Sequence, residues 1–272
     1  MIQDNTLRDG LLDGAEAVYE RIIEHLNEKG PPAHTDTVLM MITKNLLERV
    51  KTIQILTKTG REDSLTILTR AFLELQVSLK FILKDETDKR ANSYYLNSKI
   101  QWVESLMKMS KNNSRFKLQL NDEEIKALKK RVPEANDLKD YLSHYKKEWD
   151  KMFASRPKRK TYRKWYALNW EYQSFKDMMM AVEIDESMYH FFYGLTSIDA
   201  HGMGAVDNIE IIDTYYKVTG SVPAYLCYAA IETYLSNTLY AISQYYGLEE
   251  DKLQMTNFKK MADSSMFLNL IS

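Results

Sequence analysis

The stretch LRDGLLDGAEAVYERIIEHLNEKGPP, residues 7–32, carries the pattern that decides the fold. Apolar residues recur in it every three or four positions, as they do on the buried face of an α-helix. The Gly-Pro-Pro sequence then ends the helix, because proline has no backbone N–H and glycine readily adopts the left-handed conformation of a helix terminus. The apolar positions of this first predicted helix are Leu7, Leu11, Leu12, Ala15, Val18, Tyr19, Ile22, Ile23 and Leu26.

The same periodicity continues along almost the whole chain. A second helix is predicted from Thr35 or Asp36 to Gly60, and a third from Asp63 or Ser64 to Leu83. Short connections make these three helices antiparallel neighbours. Further helices are predicted over 86–111, 121–131, 133–153, 170–181, 185–201, 224–245 and 258–271, and only 206–212 could form a strand. The predicted fold is therefore all-α, a multi-helix bundle of about eight to ten helices that are mostly antiparallel.

Composition limits the class of protein. The 272 residues are 44% hydrophobic and 28% charged, with a net charge of −1, which is typical of a soluble globular chain. A nucleic-acid surface would have to be a local patch, since the chain has no overall basic bias. We predict a single helical domain over 1–272, with a candidate subdivision into N-terminal helices (1–111), a helical insert with a basic loop (112–169) and C-terminal helices (170–272).

Cellular setting and cofactors follow from a few residue types. Cys227 is the single cysteine, so no internal disulfide can form and a reducing, cytoplasmic location is predicted. No apolar run approaches the length of a membrane span, and no signal peptide is evident. The five histidines form neither a His-Glu-x-x-His nor a Glu-x-x-His arrangement, and nucleotide-loop motifs are absent. We therefore predict no metal, no cofactor and no membrane association.

An arginine and a glutamate lie one turn apart in the apolar helical sequence ILTRAFLEL, residues 67–75. Arg70 and Glu74 share one stripe of this helix. Either they form a structural ion pair, or Arg70 binds an anionic group while Glu74 orients it. A second stripe is predicted to face solvent. Its residues are Glu62, Thr69, Gln76 and Lys80.

A second polar stripe lies in the helix that is predicted to end at His201. Tyr193, Ser197 and His201 follow one another at steps of four residues. His201 could exchange protons near neutral pH, or it could simply cap the helix by bonding to backbone carbonyls. Buried polar groups need partners. We therefore expect the Arg70–Glu74 and Ser197–His201 pairs to meet, with His201, Arg70, Glu74 and Ser197 as candidate catalytic residues and Tyr193 as a substrate contact.

The strongest indication of nucleic-acid binding is the segment RPKRKTYRKWY, residues 156–166, in which six cations alternate with three aromatic residues. Cations hold phosphates and aromatic rings stack on bases. A solvated basic loop that pairs with acidic surface is the competing interpretation. Candidate substrate contacts are Arg156, Lys158, Arg159 and Arg163.

The order of these motifs resembles a bacterial all-helical family classed as a domain of unknown function. The resemblance covers roughly residues 35–245, and it implies an accessory or mobile-element protein, in some members with a role in phage defence. A looser similarity is to HEPN-type helical ribonucleases and toxins, which pair an Arg and a His on one helix, usually across a dimer. No Arg precedes His201 at that spacing, so Arg70 would have to supply the charge. The matching residues are Gly60, Arg70, Glu74, Trp165 or Trp170, Tyr193, Ser197 and His201.

Three hypotheses on function stay open, and they leave open whether the protein is an enzyme. The first is a metal-independent ribonuclease or toxin-like effector of a bacterial defence or stress system, with RNA as substrate. The second is a non-catalytic ligand-binding or regulatory module for a small anion, nucleotide or peptide. The third is a structural interaction scaffold. A homodimer is compatible with all three.

Overall fold

The computed structural model describes residues 10–61, 64–112, 126, 129–130, 132–153, 164–168, 171–184, 186–190, 209–212, 215–218 and 222–248. The helices are α1 (Leu11–Lys29), α2 (His34–Lys58), α3 (Leu65–Lys84), α4 (Thr87–Asn112), α5 (Leu138–Lys151), α6 (Phe175–Ala181), α7 (Glu186–Met188) and α8 (Ala224–Tyr245). Strands β1 (Ile209–Ile212) and β2 (Tyr215–Val218) form an antiparallel hairpin, with Ile209 paired to Val218 and Ile212 to Tyr215.

The all-α class is confirmed. Seven helices longer than one turn lie within the described residues, together with the three-residue helix α7. The β-hairpin begins inside the segment 206–212 that was singled out as a candidate strand. Within the described residues, none of the helices combines the length and the apolar character that a bilayer span requires.

Local side-chain contacts explain where the helices begin and end. At the start of α2, Asp36 Oδ2 accepts a hydrogen bond of 2.9 Å from the backbone N–H of Ala33. Gly60 follows α2 with a φ of +67°, a conformation that favours glycine. At the start of α5, Asp137 Oδ1 accepts from two backbone N–H groups, at 2.8 and 2.9 Å. This cap moves the start of the predicted helix from residue 133 to Leu138.

The chain divides into two compact units. The first combines Met1–Glu86 with Phe175–Ser272, and the second is the continuous segment Thr87–Ser174. The second unit is thus inserted in the sequence of the first. Its boundaries differ from the subdivision at 112 and 169 that the sequence suggested. The single domain over 1–272 stays a prediction.

In the first unit α3 is the central helix. It packs against α2, α6 and α8, and α1 packs against α2 and α8. Two side-chain hydrogen bonds join α2 to α8 and the residue that follows it, one between the Thr57 and Tyr228 hydroxyls at 2.6 Å and one from Tyr246 to Asp36 at 3.0 Å. These bonds fix the register of α2 against α8.

In the second unit α4 packs against α5. The core between them is rich in aromatic residues, which bury large areas and so stabilise a small unit. Its buried members are Leu96, Ile100, Val103, Val132, Ala135, Tyr141, Tyr145, Trp149, Phe153 and Leu168.

Candidate functional site

The ion pair expected on α3 is formed. Arg70 Nε donates to Glu74 Oε1 at 3.1 Å, and the side chains are 19% and 43% exposed. An i,i+4 pair with this exposure adds only about 0.3–0.5 kcal/mol to the stability of the helix. The ion pair thus fixes the position of the guanidinium group while it changes the stability of the helix only slightly. This suits either a structural or a binding role. Its catalytic role stays a prediction.

The expectation of a solvent-facing stripe on α3 is wrong. Thr69 and Gln76 are fully buried and Lys80 is partly buried, whereas Ile67 is 46% exposed. The reason is that α3 is covered by three other helices and has little free surface. Among the described residues, neither the Thr69 hydroxyl nor the Gln76 amide has a hydrogen-bond partner. These polar groups therefore mark the interior of the first unit, where they carry a desolvation penalty.

Most of the predicted site falls on residues that lie outside the described part of the chain. Of the candidate catalytic residues, the structure brings together Arg70 and Glu74. The meeting of this pair with the Ser197–His201 stripe stays a prediction. The predicted residues outside the described ranges are Tyr193, Ser197, His201, Arg156, Lys158, Arg159 and Arg163.

A cleft that the sequence did not predict lies in the second unit, with a volume of about 610 Å³. One wall is a face of α4, and the other is the segment Lys164–Tyr166. We call it the aromatic cleft. The α4 residues that line it recur every three or four positions and so share one side of the helix. They are Tyr94, Asn97, Ser98, Gln101, Trp102 and Ser105.

The aromatic rings of this cleft are fixed by edge-to-face contacts. The Tyr94 and Trp165 ring centroids are 5.0 Å apart with an interplanar angle of 87°, and those of Trp165 and Tyr166 are 5.6 Å apart. Trp102 differs from them, because 40% of its surface is exposed and Lys99 Nζ lies 5.8 Å from its ring centroid. Trp102 is therefore the exposed aromatic residue of the cleft lining, with the ammonium group of Lys99 over its ring.

Hydrogen bonds hold the Trp165 segment against α4. Ser93 Oγ donates to the Trp165 carbonyl at 2.7 Å and accepts from Trp149 Nε1 at 3.3 Å. Lys164 Nζ donates to the Gln173 carbonyl at 2.9 Å and lies 5.6 Å from the Tyr166 ring centroid. The cleft is therefore pre-organised, and Lys164 is anchored next in sequence to the basic segment 156–163.

The polar groups of the cleft are available to a ligand. Within the described residues, the amides of Asn97 and Gln101 and the hydroxyls of Ser98 and Ser105 make no hydrogen bond to the protein. Amide groups combine a donor with an acceptor, as nucleobase edges also do. Planar rings beside such groups can take up a flat, polar ligand. The sequence signal was the spacing of these polar residues beside Tyr94 and Trp102.

Within the described part of the chain, His, Cys, Asp and Glu nowhere form a group of three or more that could hold a metal ion. The protein is thus all-α in class and has an aromatic cleft between α4 and the segment Lys164–Tyr166. The chain belongs to DUF5677, a family of unknown function whose model matches residues 36–210. The predicted resemblance to a domain-of-unknown-function family is thereby confirmed. The comparisons with curated proteins and with solved structures gave no match.

Proposed function

We propose that this protein is a helical module that binds a nucleotide or single-stranded RNA, with a base in the aromatic cleft. The proposal rests on three features of the cleft: the exposed side chain of Trp102, the amides of Asn97 and Gln101, which make no hydrogen bond within the described residues, and a volume large enough for a base and its ribose. This is the ligand-binding function that the sequence left open beside a ribonuclease.

Stacking would supply most of the affinity. A base on an aromatic ring contributes about 1–3 kcal/mol, and this contribution hardly depends on sequence because every base has a π-face. The amides of Asn97 and Gln101 would bond to the edge of the base. The cations Arg156, Lys158 and Arg159 stand just before Lys164 in the sequence and would attract the phosphates. Binding should therefore weaken as salt is raised.

The test is fluorescence anisotropy with a short labelled single-stranded RNA and the full-length chain. Trp102→Ala should weaken binding by about 5- to 150-fold, the equivalent of one lost stack. Met109→Ala is the matched control, because Met109 is also exposed on α4 but does not line the cleft. Equal binding by folded Trp102→Ala and Met109→Ala would refute the cleft as the site, as would a wild-type protein that does not bind.

A second candidate is a HEPN-like, metal-independent ribonuclease of a bacterial defence system that acts as a homodimer. Its proposed location is the cytoplasm, in keeping with the single cysteine. The observation in its favour is the Arg70 guanidinium held by Glu74. His201 would exchange a proton with a ribose 2′-hydroxyl, with Ser197 as its neighbour, and Arg70 would stabilise the phosphorane charge.

The ribonuclease candidate is tested by RNA cleavage in the presence of a chelator. His201→Ala and Arg70→Ala should each abolish cleavage while the protein stays folded. Cleavage that survives in His201→Ala would remove the assignment. If Arg70→Ala instead lowers stability and leaves activity per folded molecule unchanged, the pair is structural and the scaffold hypothesis is favoured.

A further inference from the structure

A second cleft lies in the first unit, where the C-terminal turns of α3 and α8 meet the segment that follows α6. Its volume is about 470 Å³, and apolar side chains such as Leu83 and Val182 form much of its lining. Two lysines one turn apart on α3, Lys80 and Lys84, also line it. The Lys80 cleft, as we name it, is independent of the aromatic cleft and of the function proposed for that site.

The two lysines of this cleft are in different states. Lys84 Nζ donates to the Ala181 carbonyl at 2.5 Å. Lys80 is partly buried, and within the described residues its ammonium group makes no hydrogen bond and no ion pair. Burial lowers the pKa of Lys80, and the negative charge of Glu183 opposes that shift only in part. Lys80 is therefore a desolvated amine that faces an open volume.

Glu183 occupies an unusual backbone position in the wall of this cleft. Its φ is +63°, in the left-handed region that favours glycine. Its N–H donates to the Met180 carbonyl at 3.1 Å, and the Ile184 N–H donates to the Met179 carbonyl at 3.0 Å. These two bonds define the C-terminal motif of α6 in which the left-handed residue is usually glycine. A glutamate here strains the backbone, because its Cβ is unfavourable in the left-handed region, and its charge acts on Lys80.

We infer that Lys80 is a carbonyl-reactive amine, and that the Lys80 cleft takes up a small aldehyde or ketone with an apolar body. The ammonium group first loses its proton to water. The Nζ lone pair then attacks the carbonyl carbon, and the two protons of the neutral amine pass to the carbonyl oxygen. This oxygen leaves as water, so that a C=N bond replaces the C=O bond. Lowering the proton affinity of a lysine by desolvation is one of the two established ways to activate it for this step. Lys84, Glu183 and Tyr245 are the other titratable groups of the cleft.

The first test is competitive labelling of the full chain with limiting pyridoxal and cyanoborohydride near neutral pH, with adducts located by peptide mass spectrometry. The free-amine fraction rises about tenfold for each unit by which a pKa falls. Lys80 should therefore be the lysine that reacts first, ahead of Lys84 and of the exposed Lys58. Labelling of Lys80 no faster than that of Lys58 would overturn the inference.

The second test uses the glutamate. Glu183→Gln removes the charge that opposes the shift, so labelling of Lys80 should become faster. Glu183→Gly removes the same charge and also relieves the backbone strain at this position, so it should accelerate labelling as well. Because glycine suits this backbone conformation, faster labelling in both variants would be due to the lost charge and not to a loss of structure. Lys58→Arg is the matched control, because Lys58 is exposed and does not line the cleft, and it should leave the Lys80 rate unchanged. Slower labelling in both Glu183 variants would refute the electrostatic reasoning.

Discussion

The hydrogen bond between Tyr246 and Asp36 gives the sharpest prediction on stability. Tyr246 is buried at the end of α8, and its hydroxyl donates to Asp36 Oδ1 at 3.0 Å. The other carboxylate oxygen accepts from the Ala33 N–H. A hydrogen bond to a charged group contributes about 1.5–3 kcal/mol, and water can replace part of it because Asp36 is only partly buried. We expect Tyr246→Phe to lower the free energy of unfolding by about 1–1.5 kcal/mol.

Asp36→Ala should cost more, because it removes both the bond to Tyr246 and the contact that caps α2. A lost cap costs about 0.5–2 kcal/mol, so the total should reach about 2–3 kcal/mol. The double variant should reveal a coupling of about 1 kcal/mol between the two side chains.

Urea unfolding followed by circular dichroism measures these differences. Tyr225→Phe is the matched control, since Tyr225 lies on the same helix and is exposed. The reasoning fails if Tyr246→Phe is as stable as Tyr225→Phe, or if the double variant shows no coupling.

The same contact predicts a pH dependence. Burial, with the Asp36 charge next in size, raises the pKa of Tyr246 above its ordinary value of 10.0. Below that value the hydroxyl is protonated in both the folded and the unfolded chain, so its contribution to stability is fully present. As the pH rises above it, the unfolded chain ionises first and that contribution is lost. Above pH 10.0 the wild type should therefore lose stability more steeply than Tyr246→Phe, and equal slopes would contradict the assignment.

Three further variants test the packing. Gln76→Leu should stabilise the fold by about 1–3 kcal/mol in urea unfolding, because it removes a buried amide that has no hydrogen-bond partner among the described residues; a loss of stability would show that the amide is satisfied. Ser93→Ala should cost about 1–3 kcal/mol, because the Trp149 indole N–H and the Trp165 carbonyl both lose their partner, and its RNA affinity should fall as the aromatic cleft loosens. Glu74→Ala should cost less than about 0.5 kcal/mol, and a larger loss would indicate that the ion pair is a structural element of the core.

Periodicity predicted the helices well where one face of a helix is apolar and its ends carry clear signals. The helix predicted over 224–245 has the bounds of α8, and the helix predicted over 86–111 lies within one residue of α4 at each end. The helix α5 begins five residues after the predicted start at residue 133, because Asp137 and not Pro133 marks its N-terminus.

The prediction of a solvent-facing stripe on α3 was wrong for a different physical reason. Residue type suggests exposure only when a helix has a free face, and α3 is covered by α2, α6 and α8. Threonine, glutamine and lysine then end up inside, as Thr69 and Gln76 do and as Lys80 does in part.

The candidate sites differ in how far apart in the sequence their residues lie, and this decides which of them the sequence could predict. The contact from Arg70 to Glu74 follows from the helix repeat alone, because i,i+4 neighbours always lie close together. The aromatic cleft joins α4 to Trp165 across more than sixty residues of chain, and no local pattern encodes that approach. The Lys80 cleft likewise needs three elements that are distant in sequence.

The insertion of one unit into the sequence of the other has a consequence for synthesis on the ribosome. One partner of α3 is α8, which begins 140 residues after α3 ends. At about 5–20 residues per second, translation leaves the apolar surface of α3 without that partner for roughly 7–28 s. The segment Thr87–Ser174 is continuous and can complete its core within that interval. A nascent chain therefore passes through a stage in which the second unit is folded while the N-terminal helices of the first unit still lack α8. We expect chaperones to bind the chain at this stage.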